Sequence, residues 1–235
     1  METGESMAGG SQYALPRLSL KDHMFRRGIH LVSGIVVIYY LFPERFFFFP
    51  RQFWLVICLG LIPMFMEYLR LKKGVLFLGQ RPHEQKTVGA YAWSLWGSTA
   101  IMLILPQNVA VPVILIYQFA DPIISELRAW KKWSVFPVGF LSIWIMFLVF
   151  GFDPVLAGIA AITMMIGEST ELKGVLRIRP EIIKLYNVKE HTDTWTFKFK
   201  SDDDGTTQLV PAFLLGLVYL LYPSAFPGPW LYPLI

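Results

Sequence analysis

Seven acidic residues and one histidine stand at the borders of long apolar runs, where charge is costly and therefore informative. They are His30, Glu67, Asp121, Glu168, Glu171 and the triplet Asp202, Asp203 and Asp204. Asp121 stands out, because it follows 34 uncharged residues, Thr87–Ala120, and directly precedes Pro122. Carboxylates gathered at one level of a helix bundle, with arginines beside them, suit a metal-bridged phosphate site. Mg²⁺ takes one or two carboxylates plus substrate phosphate oxygens and keeps water in its other positions. Asp121, Glu168 and Glu171 are the candidate metal ligands. Each residue also has a plainer role. His30 can anchor at an interface, and Glu67 can pair with Arg70 at i+3. Asp202–Asp204, followed by Gly205-Thr206-Thr207, can cap a helix start and complement its dipole.

The elements that must position these groups are set by composition. Of 235 residues, 54% are hydrophobic and 16% charged, and the mean hydropathy is +0.49. A soluble domain carries roughly 25% charged residues. Eight Trp, nineteen Phe and ten Tyr exceed what the core of a 27.0 kDa globule can hide. The pattern predicts a polytopic membrane protein and excludes a soluble enzyme. One cysteine, Cys58, excludes a disulfide framework and a Cys-based zinc site. Seven apolar segments follow: Gly28–Pro43, Gln52–Leu69, two within Thr87–Ala120 separated at Pro106-Gln107-Asn108, Trp133–Phe152, Pro154–Gly167, and Thr206 to about Tyr222. The expected fold is an all-α bundle of about seven transmembrane helices, forming one membrane domain over 17–235. Residues 1–16 read as a disordered tail without signal-peptide character. The Pro-rich end after Tyr222 is too broken for a regular helix.

Positive charge is distributed on one side. The N-terminal segment, the second-to-third, fourth-to-fifth and sixth-to-seventh connections hold nineteen of the 21 Lys and Arg residues. The other side holds Arg45 and Arg51. The positive-inside rule makes the rich side cytoplasmic, so the N-terminus is expected there and the C-terminus opposite. The net charge of +4 thus marks membrane orientation and phosphate partners, with no nucleic acid implied. About residues 172–202 form a cytoplasmic insert in which WTFKFK alternates as a strand does, and Arg179-Pro180 before EIIKLY can open a short helix. All the acidic candidates lie at the cytoplasmic level, which argues against a transporter, whose ionisable residues belong at mid-membrane.

There is no GxxxxGK[ST] loop, HExxH or GxSxG motif, and His191 sits in a polar loop. The order of the remaining features resembles the polyprenol kinase family: dolichol kinase, phytol kinase and CTP-dependent diacylglycerol kinase. The residues that carry the resemblance begin with Arg26, Arg27, His30 and Gly34, followed by Glu67-Tyr68-Leu69-Arg70. Arg81, Glu84 and Gly89-Ala90-Tyr91 come next, then Ala120-Asp121-Pro122. Glu168 or Glu171, and Asp203-Asp204 through Thr207 and Pro211, complete a likeness that spans about residues 20–222. It implies a multi-span enzyme moving the terminal phosphoryl group of CTP to a lipid alcohol with Mg²⁺. Asp121 would hold the metal, Asp203 or Asp204 would assist it or orient the lipid hydroxyl, and His30 would complete the catalytic set. Arg26, Arg27 and Arg81 would offset phosphate charge. Related cytidylyltransferases carry an Asp-Arg-x-Asp signature that is missing here. The chain departs from the family after Asp121. SELRAWKKWSVFPVGF replaces the Gly/Lys-rich nucleotide loop, with no glycine between Asp121 and Gly139. Lys131, Lys132 and Ser134 stand there either as a nucleotide-binding remnant or as interfacial anchors. The alternative is a catalytically inactive relative that binds lipid or serves as a scaffold. Topology is testable directly. In a cysteine-free background in intact cells, an impermeant thiol reagent should label a cysteine placed at Gln107 and spare one at Lys189. Labelling only at Lys189 would invert the whole arrangement.

Overall fold

The computed structural model describes residues 20–80, 84–85, 87–130, 134–169, 173–177, 196–200 and 203–229. Seven helical segments carry the chain. Helix α1 (Leu20–Ser33) continues as a 3₁₀ segment, Gly34–Leu41. Helix α2 (Arg51–Lys73) is α-helical over Arg51–Leu55, π-helical over Val56–Leu61 and α-helical again over Ile62–Lys73. The others are α3 (Ala90–Ile104), α4 (Gln107–Trp130), α5 (Val135–Val149), α6 (Pro154–Ser169) and α7 (Asp203–Leu221). Three of these stretches, Met24–Leu41, Arg51–Lys73 and Gln107–Leu127, are long and apolar enough to cross a membrane.

Local chemistry sets most boundaries. Leu105 is extended at ψ 150°, as a residue before proline prefers, and Pro106 accepts from the Val109 amide to open α4. Gly74 closes α2 at φ +62°, a left-handed conformation that costs glycine nothing. Asp153 Oδ1 accepts from Val155 N at 2.9 Å, and Pro154 takes the first helical position of α6, where a missing N–H does no harm. Two boundaries differ from the sequence reading. The helix that bears Asp121 runs on to Trp130 through Pro122. Asp203 and Asp204 lie inside the first turn of α7 instead of before it.

Helix α4 is central: 67% of its membrane-length window is buried, against 28% for α1 and 17% for α2. It packs on α1, α3, α5 and α7, while α6 lies between α5 and α7. Ile114, Tyr117, Ile143, Phe147, Met164 and Leu215 are fully enclosed at the centre. On α6, Ala157, Ala160, Ala161 and Met164 make one buried stripe at helical spacing, which lets neighbouring backbones approach closely. The outward faces are apolar too, with Val32, Ile104, Val149, Phe213 and Leu220 largely exposed. Where α1 crosses α4, a Cβ on Gly34 would stand 3.1 Å from Leu115 Cδ2, a tight contact that Leu115 would have to give way to, so glycine lets the helices approach closely there.

Two antiparallel hairpins interrupt the helices. Strands β1 (Arg45–Phe46) and β2 (Phe49–Pro50) are joined by Phe47 and Phe48, both left-handed at φ 48° and 66°. This turn geometry normally selects Gly or Asn. Strands β3 (Lys173–Arg177) and β4 (Thr196–Lys200) pair in the insert, and β4 is the TFKFK part of the alternating stretch. Past α7 the chain turns through Pro223–Ala225, and Phe226 tucks its ring edge-on against Phe152 and Tyr219. The tail 1–16 and EIIKLY lie outside the described residues.

The connection between α2 and α3 is held by a buried ion pair. Both carboxylate oxygens of Glu67 receive the Arg70 guanidinium at 2.7 Å. Arg70 also donates to the carbonyls of Glu84 (2.7 Å), Thr87 (2.6 Å) and Val75 (3.3 Å), and Glu67 accepts from Gly89 N and the Tyr91 hydroxyl. Breaking such a pair strands a buried charge and costs about 3–5 kcal/mol. Glu67→Gln should therefore lower the unfolding free energy by about that amount, measured by denaturation in detergent. A variant as stable as wild type would show that the pair does not hold the connection.

Candidate functional site

The sequence candidates that meet in the structure do so where α1 passes α4. Residues 26, 27, 30 and 33 recur at helical spacing, so α1 offers Arg26, Arg27, His30 and Ser33 to its neighbours within two turns. His30 Nδ1 lies 3.4 Å from Asp121 Oδ2, and Arg27 Nη1 lies 3.7 Å from the same oxygen. His30 and Asp121 are both buried. Arg27 also donates from Nε to Glu126 at 3.1 Å, one helical turn and a residue beyond Asp121. Arg26 pairs with Glu84 at 3.1 Å, on the connection that Arg70 holds. Asp121 thus faces two basic groups through one oxygen, and its Oδ1 has no ion pair among the described residues.

A cavity of about 400 Å³ opens beside this group. Its walls are mostly apolar, from Phe25, Ile29, Met66, Phe77, Leu78 and Leu95. Arg26, His30, Ser33, Gln80, Glu84 and Ser94 add polar groups. Gln80 Oε1 accepts from Phe77 N at 2.8 Å, while its buried Nε2 makes no hydrogen bond. An apolar chamber with a few polar groups in its wall is the usual form of a small-molecule site.

A buried polar ladder ties the site to the rest of the bundle. The Ser33 hydroxyl lies 2.7 Å from Gln118 Oε1 and 2.6 Å from the His30 carbonyl. Gln118 Nε2 reaches Ser94 Oγ at 3.4 Å, Gln208 Nε2 donates to the Ser94 carbonyl at 3.3 Å, and Ser98 donates to Gln208 Oε1 at 2.8 Å. Thr207, next along α7, donates to Glu168 Oε2 at 3.1 Å. Four helices, α1, α4, α3 and α7, are joined in this way, and Thr207 adds α6. Neutral polar residues escape a search for charge. Their signal was Gln118 three residues before Asp121, Gln208 beside Thr207, and Ser94 and Ser98 at i, i+4.

The other candidates are distributed as follows. Glu168 ends α6 and meets Thr207, and Ser134 is buried just before α5. Glu67, an acidic candidate, belongs to the ion pair with Arg70. Asp203 and Asp204 sit in the first turn of α7, and their side chains lie outside the described residues, as do Arg81, Lys131, Lys132, Glu171, Asp202 and His191. Among the described residues no group of three or more His, Cys, Asp or Glu side chains could hold a metal ion. Mg²⁺ needs only one or two carboxylates once phosphate oxygens are present, and Asp121 Oδ1 offers one. No family model, no curated protein and no solved structure matches the chain.

The His30–Asp121 contact is measurable. In a double-mutant cycle of His30→Gln and Asp121→Asn, the stabilities should depart from additivity by at least about 0.5 kcal/mol, as residues in contact do. Strict additivity would mean that the two groups do not interact.

Proposed function

We propose that this chain is a lipid-alcohol kinase, a seven-span membrane bundle with a cytoplasmic N-terminus. It would transfer the terminal phosphoryl group of CTP, or another nucleoside triphosphate, to a polyprenol, phytol or diacylglycerol-type alcohol. The observation that carries the reading is the His30–Asp121–Arg27 group, of which His30 lines a mostly apolar cavity of about 400 Å³. The apolar wall of such a cavity suits a hydrocarbon chain, and its polar groups suit a hydroxyl and a phosphate. The lopsided Lys and Arg distribution and the apolar outer faces of the helices support the membrane placement.

In the proposed reaction the lipid oxygen attacks the γ-phosphorus, the bond to the β-phosphate oxygen breaks, and CDP leaves. The hydroxyl proton passes to His30, which Asp121 orients and whose imidazolium it stabilises. Arg26 and Arg27, with Arg81 from the α2–α3 connection, offset the phosphate charge; Lys131, Lys132 and Ser134 are the further nucleotide contacts. Mg²⁺ bound at Asp121, with Glu168 or Glu171 and with Asp203 or Asp204 assisting, would supply electrostatic stabilisation of the transferring phosphoryl group. Positioning and electrostatics carry most of the catalysis in reactions of this type.

One observation favours the second reading, a non-catalytic lipid-binding relative. Asp121 is already matched by two basic groups, and the stretch after it has no glycine to wrap a triphosphate. Thermal unfolding with nucleotide separates the two. Mg-CTP at a hundred times its Kd should stabilise the kinase by about 2.7 kcal/mol through mass action. Asp121→Asn should abolish transfer while the protein stays folded. No shift with millimolar Mg²⁺ and any nucleoside triphosphate, alongside stabilisation by a lipid alcohol, would establish the relative and end the kinase reading.

A further inference from the structure

At the other end of α1, about 15–20 Å of helix rise from His30, is a second polar group that the proposed reaction does not use. Tyr39 and Tyr40 close the 3₁₀ segment, and Arg51 opens α2. The Arg51 guanidinium carbon stands 5.2 Å and 5.8 Å from the centres of the Tyr39 and Tyr40 rings. Its Nη1 reaches the carbonyls of Tyr40 and Phe42, at 3.4 and 3.3 Å. Its Nε is buried without an acceptor, and no carboxylate among the described residues pairs with it. The Tyr40 hydroxyl is buried without a partner as well, on a residue 6% exposed. Two orphan donors, one of them cationic, lack the same thing: an acceptor-rich anion.

Two cavities meet at these residues. A notch of about 250 Å³ is lined by Tyr39, Tyr40, Arg51, Gln52 and Gln107 on its polar side. A groove of about 410 Å³ runs between the 3₁₀ segment and the first half of α2, walled by Ile35, Ile38, Phe42, Trp54, Cys58 and Leu59. Tyr39 and Arg51 line both, so notch and groove adjoin at these two side chains. We propose that this is a phospholipid site: Arg51 and Tyr40 take the phosphodiester of an anionic phospholipid, and one acyl chain lies in the groove. Arg51 offers the planar fork that phosphate accepts from in pairs. The apolar groove argues for a lipid over free phosphate, since a small anion leaves it unfilled. The β1–β2 hairpin holds Arg51 in place: Arg51 N donates to the Glu44 carbonyl at 2.8 Å, and Trp54 Nε1 donates to the Phe46 carbonyl at 2.7 Å. Two left-handed phenylalanines in its turn are backbone strain retained beside the site. The inference rests on the membrane placement of the bundle and is independent of nucleotide chemistry.

The test uses the full chain in nanodiscs of phosphatidylcholine with and without phosphatidylglycerol, with retained lipid read by native mass spectrometry after detergent exchange. Wild type should retain one phosphatidylglycerol per chain. Arg51→Gln should weaken retention at least about tenfold and Tyr40→Phe about threefold, as the loss of a charged and a neutral hydrogen bond implies. Arg45→Gln, the other cation on that side, should retain the lipid as wild type does. Undiminished retention by folded Arg51→Gln would overturn the proposal. Should that variant fail to fold, Tyr40→Phe decides: it loses one hydroxyl, and unchanged retention would overturn the site. Inorganic phosphate that stabilises the protein as much as the lipid would identify a free-anion site and overturn the lipid assignment. Mg-CTP shifts in the same preparations report the nucleotide site separately.

Discussion

The arrangement depends on an ion pair that would be costly in isolation. Glu67 and Arg70 are both enclosed on α2, where neither charge is solvated. What makes the pair tolerable is that nearly every remaining lone pair and proton is used: three backbone carbonyls on the arginine, a backbone amide and a phenol on the carboxylate. Those partners all lie between Val75 and Tyr91. The pair therefore folds the α2–α3 connection onto the end of α2 and fixes where α3 begins. Glu84, placed by its own carbonyl on Arg70, then meets Arg26 of α1. The position of α1 against α4, and with it the His30–Asp121 contact, follows from that placement together with the close approach at Gly34.

Apolar packing alone would leave the helices free to slide and rotate, since one hydrocarbon face fits another about as well. The Ser33–Gln118–Ser94–Gln208–Ser98 ladder removes that freedom. Each bond has a direction, and a buried amide left unsatisfied is penalised. Two prolines act in the opposite sense on the helices themselves. Pro122 cannot donate to the Gln118 carbonyl, nor Pro211 to that of Thr207, so α4 and α7 are weakened within one turn of their polar residues. The Ser125 hydroxyl also donates to the Asp121 carbonyl at 2.8 Å, a back-bond of the kind that bends a helix, beside the site. The helices are thus most adaptable at the level where the polar side chains face one another.

The sequence made the helical segments legible because apolar runs and their breakers are strong local signals. Pro106 divided α3 from α4, Asp153-Pro154 opened α6, and the alternation in Thr196–Lys200 read as a strand. The contact of His30 with Asp121 was legible as a shared level, since alternating helices bring those ends together. What stayed hidden needed information from elsewhere in the fold. Gln118 and Gln208 carry no charge, and their importance depends on partners 24 and 114 residues away. Glu67 read equally as a site residue and as a helix pair; its three partners, Arg70, Gly89 and Tyr91, decide for the pair. The β1–β2 hairpin defied its own turn chemistry: four phenylalanines in a row do not announce a left-handed turn, though the rings of Phe46 and Phe47 pack on Phe42 and Trp54 beside it.

The two ends of α1 differ in how their charges are met. At the Arg26–His30 end every basic group has an acidic neighbour, and the acids come from two segments: Glu84 from the α2–α3 connection, and Asp121 and Glu126 from α4. Such a network holds its geometry before any ligand arrives, which is the preorganisation that electrostatic catalysis requires. It also resists a ligand, because each new anion must compete with a carboxylate already in place. At the Tyr40–Arg51 end the cation has aromatic faces and carbonyls but no counter-charge among the described residues, so an anion arriving there displaces none of their carboxylates. The 3₁₀ segment Gly34–Leu41 joins the two. Its tighter winding turns Tyr39 and Tyr40 toward α2 at one end, while Gly34 keeps His30 close to α4 at the other. One continuous helical element thereby serves two different electrostatic environments.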